Sequence, residues 1–192
     1  MIQKLCFYAS HYENGSSEQI KSNKISTFID QNKNCFERSN LYGHITGSGW
    51  IVNETFDSCL LIHHRKLGLW LQPGGHADGE SNVFKVALKE AQEETGILDF
   101  KAFSEDIFDV DIHSIPARRQ EPPHLHFDIR FLFQASSAFP LPQNNAECAA
   151  LAWVPLDEVM KNPLYSSVQK MALKTPSFCQ PFMADLNLKL TH

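Results

Sequence analysis

The chain has 192 residues, and its 22 acidic side chains outnumber the 17 Lys and Arg residues to give a formal net charge of −5. This length is sufficient for one well-packed domain and short for two. The acidic balance disfavours duplex nucleic acid as a partner of the whole surface, and no apolar run is long enough to span a membrane.

The five cysteines are scattered along the chain, and no two of them form a C-x-x-C pair. Isolated cysteines in odd number are typical of reduced, mostly buried thiols. The first six residues contain neither a long apolar stretch nor a small-residue cleavage site, so they do not resemble a secretion signal. We therefore expect a cytoplasmic protein.

Helices and strands are predicted to alternate along the chain. A polar helix is predicted over about residues 15–40, where Ile20, Ile25 and Phe28 form a broken apolar stripe. Five runs with strand-like patterns predict strands at residues 43–52, 58–64, 107–113, 124–133 and 149–155. A C-terminal helix is expected over about residues 166–174. Strands interleaved with helices indicate a mixed sheet between helices.

A glycine-rich turn over residues 74–81 directly precedes the most informative helix. Serine is a preferred N-cap, so Ser81 is predicted to begin this helix, and Gly96 supplies a stop after about Thr95. Its apolar positions predict a buried face, formed by Val83, Val86, Ala87 and Ala91.

Three carboxylates lie near the end of the same helix. Glu90, Glu93 and Glu94 are three and four residues apart, so their side chains project from the same side. Oxygen donors that converge beside a mobile loop suit a hard divalent cation such as Mg²⁺ or Mn²⁺. The pattern therefore predicts a metal-assisted reaction of phosphate.

These segments together resemble the Nudix box, G-x5-E-x7-R-E-u-x-E-E-x-G-u, in which u is an aliphatic residue. Gly75 fits the first glycine, and the run from Lys89 to Ile97 fits the second half, with Lys89 in place of the arginine. Ser81 stands at the position of the first glutamate, and Glu80 lies one residue earlier. The half of the box that carries the metal ligands is therefore intact, whereas the half that shapes the loop is altered.

The resemblance covers about residues 43–160 and implies an α/β fold, a Nudix-type α/β/α sandwich with a mixed β-sheet and with N- and C-terminal helical extensions. We predict a single Nudix-like domain over residues 1–192. Its N-terminal extension would occupy residues 1–42, and a C-terminal helix and tail would occupy residues 161–192. The implied reaction is hydrolysis of a phosphoanhydride bond in a nucleoside diphosphate linked to another moiety.

The same resemblance implies roles for individual side chains. Glu90, Glu93 and Glu94 are expected to hold Mg²⁺ or Mn²⁺ as the cofactor and to act in catalysis. Lys89 would take the orienting role of the arginine, although an ammonium group lacks the planar fork of a guanidinium. Glu147 lies where Nudix proteins often carry a glutamate, so it is a candidate metal ligand or general base. An exposed loop glutamate is the alternative.

Substrate contacts are predicted around the box. Gly75 and His76 lie in the glycine turn, where they would be close to substrate. Arg118 and Arg119 occupy a predicted loop and are candidates for binding phosphate, with a solvated basic loop as the alternative.

Two of the nine histidines share a strand face with an acidic residue. His124, His126 and Asp128 are spaced by two, which brings their side chains together on one face of the predicted strand. They could bind phosphate when protonated, hold a softer metal such as Mn²⁺ or Zn²⁺, or shuttle a proton. A hydrogen-bonded polar cluster that lines the cleft is the alternative.

Two other functions remain open at this stage. The altered first half of the box favours a non-catalytic Nudix-fold sensor of a nucleotide metabolite, whereas the intact glutamates oppose it. The abundance of histidine favours an isomerase that resembles the isopentenyl diphosphate type, whereas the full box spacing favours hydrolysis. The expected partner is a small phosphorylated nucleotide, with no polymeric nucleic acid and no membrane, and a homodimer is left open.

Overall fold

A computed structural model describes residues 1–117, 121–138, 140–141 and 148–190, without the side chains of residues 184–190. The described residues group into two compact units. Unit 1 comprises those of Met1–Gly49, Gly74–Ala91 and Glu105–Phe131, and unit 2 comprises those of Trp50–Pro73, Gln92–Ser104 and Leu132–His192.

Helices and strands follow one another along the described chain. The helices are α1 (Ile2–Ala9), α2 (Ser17–Gln31), α3 (Val83–Thr95), α4 (Leu156–Lys161), the short 3₁₀ helix Pro163–Tyr165 and α5 (Gln169–Leu190). The strands are β1 (Gly43–Val52), β2 (Ser58–His64), β3 (Leu69–Leu71), β4 (Gly74–His76), β5 (Asp109–Ile115), β6 (His124–Gln134) and β7 (Cys148–Pro155). None of the described helices is both long enough and apolar enough to cross a membrane.

The strand predictions agree closely with these bounds. β1 and β2 occupy the predicted residues, and β6 and β7 each differ from the prediction by one residue at one end. β5 begins two residues later than predicted, because its ladder with β6 starts at Asp109↔Arg130 although apolar alternation already begins at Ile107.

The extents of the terminal helices were predicted wrongly. α2 ends at Gln31, and Asn32 is already extended, with φ −126° and ψ 101°. The segment that follows is rich in asparagine, whose side chains hydrogen-bond locally and favour turns over helix. The helix α1 was not predicted. At the other end of the chain, α5 continues through Pro176, where the sequence predicted an end.

Unit 1 contains the glycine-rich segment, which forms a strand where a turn was predicted. β4 pairs antiparallel with β1 through Thr46↔His76 and Gly47↔Gly75. A Cβ at Gly47 would lie 2.9 Å from the Val83 carbonyl oxygen. Glycine at this position therefore allows α3 to approach β1 closely. The predicted inner face of α3 is confirmed as buried, with exposures of 0 to 4% for Val83, Val86, Ala87 and Ala91.

The two N-terminal helices pack within unit 1. The Ser22 hydroxyl of α2 donates to the Leu5 carbonyl of α1 at 2.9 Å. Lys21 of α2 forms an ion pair of 2.6 Å with Asp111 of β5. The ring of Phe28 stacks on that of Phe127 at 4.0 Å. The first forty residues thus contribute to the packing around β5 and β6.

Unit 2 is organised around β2. This strand pairs antiparallel with the end of β1 through Ile51↔Leu60, with β3 through Ile62↔Leu71, and with β7 along its length. The fully buried Trp50 donates from Nε1 to the Thr175 hydroxyl of α5 at 2.9 Å. This bond fixes α5 within unit 2.

Candidate active site

The carboxylate of Glu90 packs against the backbone of Gly75 within unit 1. A Cβ at Gly75 would lie 2.5 Å from both Cδ and Oε2 of Glu90, which is too close for any side chain. The Glu90 side chain is only 17% exposed. The Glu90 carboxylate can therefore occupy this position only because residue 75 is a glycine.

Glu93 and Glu94 occupy the last turn of α3, in unit 2, and differ in burial. Glu94 is 5% exposed, and its Oε1 accepts from the Cys148 thiol at 3.9 Å. Glu93 is exposed. Along α3, the carboxylate of Glu90 is thus half-buried, that of Glu93 is exposed and that of Glu94 is buried.

Lys89 lies at the outer edge of this group. Its side chain is 65% exposed, and its Nζ is 3.9 Å from Oε1 of Glu90. A charge-assisted hydrogen bond would be about 2.7–2.9 Å long, so this contact is a weak ion pair. The orienting role of Lys89 stays a prediction.

The helix begins one residue later than predicted, and Ser81 is not its N-cap. The side-chain oxygen of Asn82 accepts from the Lys85 backbone at 3.3 Å, and the Asn82 carbonyl accepts from Val86 at 3.2 Å. Glu80 accepts from the Asn82 backbone N–H at 2.7 Å. Asparagine is as good an N-cap as serine. In the structure Asn82 is the N-cap, whereas the sequence predicted Ser81.

The loop between β4 and α3 is held by the segment that precedes β1. Arg38 donates from Nε and Nη2 to the two carboxylate oxygens of Asp78 at 2.6 and 2.7 Å. Asp78 and Gly79 both have positive φ, of 46° and 90°. The Gly79 N–H donates to the Phe36 carbonyl at 3.0 Å. A bidentate ion pair and a tight left-handed turn therefore fix this part of the loop.

A cluster of histidines, which we call the histidine cluster, lies beside this loop in unit 1. The ring of His44 lies 4.9 to 5.0 Å, between centroids, from three other histidine rings: those of His76, His124 and His126. Nε2 of His124 lies 3.3 Å from Nε2 of His126, and Nδ1 of His124 lies 2.9 Å from the Pro122 carbonyl oxygen. Two of these rings were predicted to meet, and the structure brings four together.

Burial makes these imidazoles poor bases. It is the largest cause that lowers the pKa of His126 to about 2 and that of His76 to about 4. Burial, and then the neighbouring His124, also lower the pKa of His44. At pH 7 these three rings are neutral, so they offer lone pairs instead of positive charge.

Asp128, predicted to act together with His124 and His126, belongs to a different network. Its Oδ1 accepts from Thr46 at 3.0 Å and from Ser48 at 2.8 Å. Its Oδ2 accepts from Nε of the buried Arg130 at 2.7 Å. Both carboxylate oxygens of Asp128 are thus engaged in hydrogen bonds, and the bonds to Thr46 and Ser48 join β6 to β1.

Arg130 is the centre of that second network. Besides Asp128, it forms ion pairs with Asp109 at 2.9 Å and with Asp111 at 3.4 Å. Burial would lower the pKa of Arg130, but the charges of Asp128 and Asp109 outweigh it and raise that pKa. Lys21 supplies a second cation to Asp111. The arrangement is that of a structural ion network, not of a substrate site.

Sequence reasoning overlooked His44 and Arg38. His44 had a local signal, because it alternates by two with Thr46 and Ser48 along a predicted strand and so shares their face. Arg38 had none, since its partner Asp78 is 40 positions away. Three other predicted site residues lie outside the described residues, and their roles stay predictions: Arg118, Arg119 and Glu147.

Comparison with known proteins gives matches over most of the chain. A family model described as the NUDIX domain matches residues 44–174. Nudix hydrolase 6 of Arabidopsis thaliana is 26% identical over a match that covers 62% of this chain and 42% of that protein. The chain therefore spans less than half the length of this curated relative.

Solved structures share the fold. A C. elegans Ap4A hydrolase binary complex superimposes with a TM-score of 0.55 at 18% identity, over 71% of this chain and 98% of that chain. A MutT protein from Methanosarcina mazei gives 0.50 at 18% identity, over 72% and 96%. A Nudix hydrolase from M. smegmatis gives 0.51 at 16% identity, over 71% and 88%. These likenesses confirm the predicted α/β fold class with its mixed sheet and helices.

Proposed function

The chain belongs to the Nudix family, and from that premise we propose that it is a divalent-metal-dependent pyrophosphohydrolase. Its substrate is a nucleoside diphosphate linked to another moiety, in which it hydrolyses the phosphoanhydride bond. The observation that carries the proposal is the close contact between Glu90 and Gly75. This contact brings the glycine segment of the box next to the Glu90 carboxylate of the glutamate helix.

The side chains present fit Mg²⁺ or Mn²⁺. Glu90, Glu93 and Glu94 offer only carboxylate oxygens, which are the donors that these hard cations prefer. The space beside Gly75 that a Cβ would fill is taken by the Glu90 carboxylate. The absence of a side chain at Gly75 leaves the room that this position of the carboxylate needs.

The bound cation would neutralise phosphate charge and increase the acidity of a coordinated water. The protein contributes the positions of its own groups. Gly75 keeps Glu90 beside the loop, and the ion pair between Arg38 and Asp78 keeps the following turn in place. Glu93, the exposed member of the set, is accessible to solvent and substrate, whereas the buried Glu94 is fixed by packing.

For the substrate we propose contacts from the loop and the neighbouring cations. Gly75 and His76 would lie along the phosphates, with Lys89 at the rim. Arg118 and Arg119 are further candidates for phosphate, and Glu147 is the candidate general base. The partner is a small nucleotide, because the overall charge of −5 disfavours a long polyanion.

Product analysis tests this function. The chain is incubated with Mg²⁺ or Mn²⁺ and a panel of ADP-ribose, nucleotide sugars, oxidised nucleoside triphosphates and dinucleoside polyphosphates. Ap4A is included because one structural neighbour is an Ap4A hydrolase. We expect a mononucleotide product from at least one member and none without the cation.

Two outcomes would count against the proposal. Tight binding of a panel member without product from any of them would identify a sensor instead of an enzyme. Conversion of isopentenyl diphosphate to an allylic product would identify an isomerase. The variant Glu93→Gln is the matched control, because it should bind nucleotide and form little product.

A further inference from the structure

We propose that His44, His124 and His126 form a binding site for a transition-metal ion of the Zn²⁺ type, separate from the glutamates of α3. One ring nitrogen of each residue is available as a ligand, and these three atoms lie within 4.8 Å of one another. All three residues belong to unit 1, on the neighbouring strands β1 and β6.

The spacing of two of the nitrogens fits zinc, and the third lies within 4.8 Å of them. Zn–N bonds are about 2.0–2.1 Å long, so two ligands of a tetrahedral ion lie about 3.4 Å apart. Nε2 of His124 and Nε2 of His126 are separated by 3.3 Å. Their present separation therefore needs almost no change to accommodate an ion.

His124 is oriented as metal-ligating histidines usually are. Its Nδ1 lies 2.9 Å from the Pro122 carbonyl oxygen, which requires the proton to be on Nδ1. Nε2 then carries a lone pair and faces His126. A backbone carbonyl that fixes the tautomer of a histidine in this way is a common outer partner in metal sites.

His44 gives the independent indication of a ligand. Its side chain is 4% exposed, and neither ring nitrogen has a partner within the described ranges that meets the distance and angle of a hydrogen bond, although the Asn40 backbone lies near enough to raise its pKa. A buried polar group without a partner destabilises the fold. A hydrogen bond between His124 and His126 explains their contact but leaves His44 unsatisfied. A metal ion would give one nitrogen of each of the three rings a partner.

The chemistry of the donors selects the metal. The set contains imidazole nitrogens only, which suit Zn²⁺ and related ions and are poor ligands for Mg²⁺. The fourth position of a tetrahedral ion is left for a water or another ligand, and His76 lies next to it, with its ring 4.9 Å from those of His44 and His126.

The first experiment measures zinc affinity without any nucleotide. Metal-free protein is titrated with Zn²⁺ against a chromogenic chelator, and we expect one ion per chain. His44→Ala and His126→Ala should each weaken binding at least about 100-fold. His63→Ala is the matched control, because His63 packs on Trp70 in unit 2 and should leave the affinity unchanged. Unchanged affinity in His44→Ala, or no saturable binding by the wild type, overturns the proposal.

A second measurement uses only the wild-type chain and is therefore independent of how the variants fold. One equivalent of Zn²⁺ should shift the imidazole nitrogen resonances of His44, His124 and His126 and leave those of His11 and His63 in place. Unshifted resonances of the three ligands would refute the site. Glu90→Gln should still bind Zn²⁺, so the outcome does not depend on hydrolysis.

Discussion

At the scale of single residues, the glutamates of α3 differ in environment although they lie within five positions. Glu94 is buried beside the Cys148 thiol, and Glu93 is exposed. If both hold the cation, replacement of either carboxylate by a neutral amide removes stabilisation of the transition state. The difference in burial then changes how each of the two side chains is held in place, and both carboxylates are needed for catalysis.

We expect Glu93→Gln and Glu94→Gln each to reduce kcat/KM at least about 10²-fold at saturating Mg²⁺. The measurement is the initial rate on the best substrate of the panel. Glu13→Gln, at an exposed position far along the chain from α3, is the control and should keep the wild-type rate. Wild-type rates in both α3 variants would contradict the assignment of the metal ligands.

Gly75 is the residue on which the position of Glu90 depends. Gly75→Ala would place a Cβ 2.5 Å from the Glu90 carboxylate and displace it. A displacement on the order of 1 Å in an active site can cost about 10²-fold in rate, so we expect a loss of about that size. Unfolding in urea should show whether the fold is retained.

A double-mutant cycle on kcat/KM establishes whether this loss acts through Glu90. Gly75→Ala should cost little more in the background of Glu90→Ala, because the carboxylate it displaces is already absent. Losses that multiply would show that Gly75 acts independently of Glu90.

At the scale of elements, the start of α3 depends on one side chain. Asn82 caps the helix through its bond to the Lys85 N–H, whereas Ser81 is exposed and one residue too early. Asn82→Ala should therefore reduce the free energy of unfolding by about 1 kcal/mol. Ser81→Ala, its matched neighbour, should change it by less than about 0.5 kcal/mol. Equal effects in urea unfolding would show that the cap is misassigned.

The local sequence pattern predicted some of the strands and not others. A strand-like pattern predicted the residues of β1 and β2, and the structure buries all of β1 and four successive residues of β2. The glycine segment has no such pattern, so it was expected to be a turn. It is a strand because β1 supplies partners for its backbone through Thr46↔His76. Pairing between distant segments decided that element.

At the scale of the whole molecule, the ion network of Arg130 makes stability depend on pH. Burial would raise the pKa of Asp111, but hydrogen bonding by His113 and the charges of Arg130 and Lys21 lower it well below its usual value. A carboxyl group with a lowered pKa in the folded state stabilises the fold above its unfolded pKa. That contribution is lost as the pH falls through the folded value.

We therefore expect the free energy of unfolding to decrease as the pH is lowered from about 5 to about 2. Urea titrations at each pH measure this decrease. Asp111→Asn should show a smaller decrease over this range, because its contribution to proton uptake on unfolding is removed. Asp157→Asn is the control, since Asp157 is 73% exposed in a surface pair with Lys161. A pH dependence in Asp111→Asn equal to that of the wild type would contradict the role of the network.

The division of the chain into an N-terminal extension, a core and a C-terminal tail stays a prediction. The family match begins at residue 44, two positions after the predicted extension ends, and continues to residue 174. What the structure adds is the packing of the first forty residues in unit 1, where Arg38 fixes the turn at Asp78. The extension thus supports the loop of the box.

The sequence by itself determined the family, the fold class, five of the seven described strands and the helix that carries the glutamates. Each of these depends on spacing within a short segment, and such spacing is visible in the order of residues. The tertiary structure alone decided that Gly75 adjoins Glu90, that Asp128 binds Thr46 and that His44 joins His124 and His126. These contacts join residues 15 to 82 positions apart, and pairing of distant strands, which no local pattern encodes, brings them together.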